Sequence, residues 1–94
     1  MTPEILDLDT GQYYDLVEGT YIRNVQVFAG KGTRTEFRDA WAYAAKFGGQ
    51  IEDWQHVKGI GMIDTEDGIR KAEIHWVQSD AAGRREMFIK EWLD

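Results

Sequence analysis

Residues 53–93 read DWQHVKGIGMIDTEDGIRKAEIHWVQSDAAGRREMFIKEWL, and this stretch decides the fold. It divides into three runs of strand type at two turns, Thr65-Glu66-Asp67-Gly68 and Asp80-Ala81-Ala82-Gly83. Each turn has glycine in fourth place, where a type I turn followed by a left-handed residue needs one. Such a turn pairs the residue before it with the residue after its glycine, so Asp64 faces Ile69 and Ser79 faces Arg84. Because side chains alternate along a strand, the two registers sort the stretch into faces. One face is apolar: Val57, Gly59, Gly61 and Ile63 lie opposite Trp76, Ile74, Ala72 and Arg70, and Met87 and Ile89 follow.

The other face carries Trp54, His56, Lys58, Ile60 and Met62, then Lys71, Glu73, His75 and Val77, then Glu86, Phe88, Lys90 and Trp92. Its rows are expected to be Lys58-His75-Phe88, Ile60-Glu73-Lys90 and Met62-Lys71-Trp92. Two histidines and a glutamate among lysines and aromatics suit metal-independent general acid–base chemistry. A Glu or His can take a proton from a nucleophile, a second group can protonate the leaving oxygen, and lysines can balance the charge between them. The plainer reading is a solvated surface, with Glu73 and Lys90 as a cross-strand ion pair.

The first half of the chain contributes a hairpin signal at Asp9-Thr10-Gly11 and a strand-like run from Tyr21 to Ala29. Thr33 with Glu36 three residues on reads as a capping box. Phe37, Trp41, Ala44 and Ala45 then form one helical stripe that stops at Gly48-Gly49. The small residues Gly59, Gly61 and Ala72 lead to the expectation that this helix covers the apolar face with Trp41 and Phe37. The fold class is therefore α+β, an antiparallel sheet of four to six strands with one main helix packed on one face.

Ninety-four residues make one domain, with residues 1–18 as an acidic N-terminal hairpin or arm and residues 20–93 as its body. The absence of cysteine excludes a disulfide framework and a thiol nucleophile. No apolar run reaches the roughly 20 residues of a membrane helix, and a start bearing Glu4, Asp7 and Asp9 is unlike a signal peptide. No membrane partner and a cytoplasmic location are the expectation. The net charge of −6 argues against nucleic acid at first sight. Of the 17 acids, however, five lie in residues 1–18 with no Lys or Arg, leaving 12 acids against all 11 bases in the rest.

Residues 29–35, AGKGTRT, offer backbone N–H groups with Lys31 and Arg34 at the expected helix start, a candidate phosphate site. It is not a Walker A loop, because Gly32 stands where that motif has Ser or Thr. His56 and His75 in adjacent rows have no third ligand, so no metal and no cofactor are expected.

The segments DWQHVKG (53–59) and AEIHW (72–76), within a run covering about residues 25–93, resemble small domains at the C-termini of phage minor head proteins and bacterial polymorphic toxins. Those are grouped with the barnase–EndoU–colicin–RelE-like nuclease fold. The resemblance implies a helix with a four-stranded sheet and metal-independent RNA cleavage, with His75, Glu73, His56 and Lys58 at the motif positions. RNA would be the substrate, and an immunity or antitoxin protein, or a phage head protein, the protein partner. Two non-catalytic readings stand beside it. One is a protein-binding module using Trp54, Phe88 and Trp92; the other is an acidic inhibitor acting through residues 1–18.

Overall fold

A computed structural model describes residues 4–94. In chain order it contains β1 (Ile5–Asp7), β2 (Tyr13–Leu16), β3 (Arg23–Gly30), α1 (Ala40–Phe47), a single 3-10 turn (Ile51–Asp53), β4 (Gln55–Thr65), β5 (Gly68–Ser79) and β6 (Gly83–Trp92). The strands form one sheet in the order β2-β1-β6-β5-β4-β3, and β2 pairs again with β4 at Asp15↔Asp64 and Leu16↔Ile63. Five strands thereby close into a barrel, and β3 adds a sixth strand along the other half of β4. The sheet is mixed rather than purely antiparallel, because β1 runs parallel to β6, with Leu6 opposite Phe88.

The β4–β5 hairpin has the register read from its turn along its whole length, from Thr65↔Gly68 through Asp64↔Ile69 to Gln55↔Gln78. The β5–β6 hairpin keeps its expected register only at the centre, at His75↔Phe88 and Ile74↔Ile89. Its turn pairs Ser79 with Gly83, not Arg84, so three residues separate the paired ends where the first turn has two. A first bulge restores the expected register at His75, and a second shifts it again beyond Ile74. Glu86, at φ 54°, joins Met87 opposite Trp76, and Lys90 is inserted before Glu91, which pairs with Glu73. The expected rows Ile60-Glu73-Lys90 and Met62-Lys71-Trp92 are thus corrected, and Trp92 lies opposite Ala72.

The apolar face became the barrel interior. Val57, Ile63, Ala72, Ile74, Trp76 and Ile89 are buried together with Ile5 from β1. The expectation that the helix covers this face is overturned. Gly59 and Gly61 are small because other strands need the room. A side chain at Gly59 would collide with Ile22, and one at Gly61 would come within 2.8 Å of Leu16 and 2.6 Å of Ile74. Closure of the N-terminal hairpin over the sheet fills the space that Trp41 and Phe37 were expected to occupy.

Helix α1 lies on the outer face, in a second cluster built on Ala40, Trp54 and Val77 with Tyr43, Ala44 and Phe47. It starts at Ala40, seven residues after the expected cap. Thr33 Oγ1 instead donates to the Gly30 carbonyl (2.8 Å) and accepts from the Thr35 N–H (3.2 Å), which holds residues 30–35 in a turn. Trp41 is 63% exposed, whereas Trp54 is fully buried. Residues 4–18 are built into the barrel as β1 and β2, with Ile5 in its core. Among the described residues no helix is long and apolar enough to cross a membrane.

Candidate functional site

The outer face of β4 and β5 gathers five of the residues singled out above. Pairing Lys58 with His75, and His75 with Phe88, puts these three side chains in one row across three strands. Glu73, two residues along β5, points to the same side. Its carboxylate meets His75, with Glu73 Oε2 2.9 Å from His75 Nε2. A carboxylate can only accept, so Nε2 carries the proton in this contact. The His75 side chain is 12% exposed and that of Glu73 31%, so the acid is the wetter member.

His56 stands beside them, with its ring 5.9 Å from that of His75. Two phenylalanines frame it: Phe28 at 4.2 Å and Phe37 at 5.4 Å between ring centroids. Phe28 also touches His75, and Lys58 Nζ lies 5.9 Å from the Phe28 ring. Burial among these rings pushes the His56 pKa below its usual 6.5. The neighbouring His75 acts in the same direction, and Asp39 opposes both. Phe28 and Phe37 were not among the expected site residues. Phe28 lies at an irregularity in β3, where Val27 pairs with Val57 but Ala29 with His56, so strand alternation alone does not place it.

The remaining candidates fall elsewhere. Trp54 is in the outer core, where its indole N–H donates to the Gly48 carbonyl at 3.1 Å. The Lys90 bulge sends Trp92 to the barrel interior side, edge-on to Tyr14 at 5.9 Å and under the Arg70 guanidinium at 4.1 Å. Lys90 itself is exposed in that bulge, one place off the Glu73 row. Lys31, half exposed, lies 3.6 Å from both Asp53 and Asp80. Arg34 lies in the 30–35 turn rather than at a helix N-terminus. Among the described residues no three His, Asp or Glu side chains converge as a metal set.

A cleft of about 380 Å3 opens beside Glu73 and Lys58, where β3 bulges away from β4 between Arg23 and Gln26. It gives Glu73 access to solvent along the sheet. No family model matches the chain, and neither does any curated protein or solved structure.

Proposed function

We propose that the outer face cleaves RNA without a metal ion, using the ribose 2′-hydroxyl as nucleophile. The observation that carries this reading is the 2.9 Å contact between Glu73 and His75 at the edge of an open cleft. A second titratable ring, His56, has its centroid 5.9 Å from that of His75, on the side of His75 away from Glu73 along the strands. Glu73, the more exposed member of the pair, takes the proton from the 2′-hydroxyl, and His75 holds that carboxylate in place. The 2′-oxygen forms its bond to phosphorus while the bond from phosphorus to the 5′-oxygen breaks. His56 in its protonated form returns a proton to the leaving 5′-oxygen, and its lowered pKa makes that form the stronger acid. Lys58 balances the charge that builds on the phosphoryl oxygens. The products are a 2′,3′-cyclic phosphate and a 5′-hydroxyl. The sequence resemblance to nuclease domains supports the same reading.

The test is incubation of purified protein with end-labelled single-stranded RNA in EDTA, beside His75→Ala and Glu73→Gln variants checked for fold by circular dichroism. Products ending in 2′,3′-cyclic phosphate are expected, with rates about 100-fold lower or less in each variant. Cleavage unchanged in both variants, or absent from the wild type on every RNA tried, would end the assignment.

A further inference from the structure

The bulge in β3 has features that a simple edge strand lacks. Between Arg23↔Ile60 and Gln26↔Lys58, β3 advances three residues while β4 advances two, so Asn24 and Val25 together oppose Gly59. A bulge of this kind interrupts the ladder and leaves peptide groups without strand partners. Asn24 takes φ 53°, a left-handed conformation uncommon for any residue but glycine, although asparagine tolerates it best. Backbone in such regions concentrates at binding and active sites. The result is the cleft bounded by Asn24, Val25 and Gln26 on one side and by Lys58, Ile60 and Glu73 on the other.

The chemistry of that lining is specific. Asn24 and Gln26 each offer a side-chain carbonyl and an amide NH2, the donor–acceptor pair that matches a nucleobase edge. Val25, 46% exposed, and Ile60 supply apolar surface for the flat faces of a ring. Glu73 and Lys58, the acid–base group and the cation of the proposed site, form the opposite wall. At about 380 Å3 the cleft is at the small end of ligand pockets, which run from roughly 300 to 1,000 Å3. That volume is of the order of one nucleoside.

We infer that this cleft is the subsite for the nucleotide whose 2′-hydroxyl is attacked. Its base is read by Asn24 and Gln26, its ribose lies against Glu73, and its 3′-phosphate faces Lys58. Cleavage is therefore base-selective on the 5′ side of the broken bond. This rests on the ribonuclease reading and adds a substrate preference to it.

Two measurements test the subsite, and only one requires turnover. The first is titration of isotope-labelled protein with the four nucleoside 3′-monophosphates, followed through backbone amide shifts. One base is expected to bind at least about fivefold more tightly than the weakest, moving the amides of residues 24–26 and 58–60, and that preference should collapse in Gln26→Ala and in Asn24→Gly. Glycine preserves the left-handed backbone, so the second variant removes the side chain without forcing the backbone to change. The second measurement is the ratio of cleavage rates on single-stranded RNAs differing only in the base 5′ to the cut, which should fall towards one in both variants. RNA cleavage whose base ratio is the same in wild type and variants would overturn the subsite and leave the ribonuclease reading standing. Base-selective nucleotide binding at the cleft with no cleavage of any RNA would overturn the catalytic reading and, with it, the role of the cleft in cleavage, leaving only a nucleotide-binding site. No cleavage and no shift of cleft amides would overturn both.

Discussion

The two C-terminal hairpins look alike in sequence and differ in construction. Both turns end in glycine, yet β4 and β5 pair without interruption while β5 and β6 are broken twice. The regular hairpin sets the interior of the barrel, where Val57, Gly59, Gly61 and Ile63 alternate inward against Trp76, Ile74, Ala72 and Arg70. The bulged hairpin decides which side chains flank the outer site. It leaves Phe88 beside His75, displaces Lys90 from the Glu73 row, and turns Trp92 inward. The Glu86 bulge cancels the extra residue of the turn before the site is reached, and the separate bulge at Lys90 then edits the site without disturbing the core.

The largest expected effect tests the strand the two hairpins share. Trp76 is fully buried, with Val57 of the regular hairpin opposite it on one side and the Glu86–Met87 bulge on the other. Trp76→Ala should lower stability by about 3–5 kcal/mol in urea denaturation, and a loss under about 1 kcal/mol would mean that the barrel core is not packed around it. Next come the two lysines that sequence alone treated as equals. Lys58→Ala should reduce RNA cleavage by about 10- to 100-fold, whereas Lys90→Ala should stay within about twofold. Equal losses in both would place Lys90 back in the site and count against the bulge.

A smaller effect is expected from pH. Burial and His75 lower the folded-state pKa of His56, so the unfolded chain binds that proton more readily than the folded one. The contribution to stability is therefore nil well above pH 6.5, and the fold weakens as pH falls through 6.5 towards the lower folded value. Unfolding midpoints at pH 7.5 and pH 5 should differ more for the wild type than for His56→Gln; equal differences would remove His56 as the cause. The smallest change concerns the bulge itself. Glu86 occupies a left-handed conformation, and its only ion pair among the described residues is the exposed one to Lys46. Glu86→Gly should stabilise the protein by up to about 1 kcal/mol, and a net loss would show that the Lys46 bridge outweighs the backbone strain.

The sequence was most legible where the determining interactions are local. The first hairpin could be read residue by residue because a two-residue connection leaves one register that buries the alternating apolar set. The second was read correctly only near His75 and Ile74, because GRREMF carries nothing that marks Glu86 as left-handed. The side taken by the helix was not legible. Trp41 and Trp54 are the same residue type, and what buries one and exposes the other is the prior filling of the barrel by Leu16 and Ile22, both distant in sequence. Thr33 and Glu36 satisfied a capping pattern, yet the threonine hydroxyl found the Gly30 carbonyl first. At the site, the cluster of His56, Lys58, Glu73, His75 and Phe88 followed from strand alternation. The Phe28–Phe37 frame and the β3 cleft depend on pairings and a bulge that no short motif encodes.

The parallel pairing of β1 with β6 also bears on how the chain folds. Leu6 can find its strand partner only when Phe88 is in place, about eighty residues later. The meander from β4 to β6 is made of near-neighbour contacts and can form early. The ring closes only through a contact spanning nearly the whole described chain, and long-range closures of this kind are slow. Until then Ile5 is unburied and the edge of β6 stays open, so the half-folded protein exposes a strand edge that the finished barrel does not.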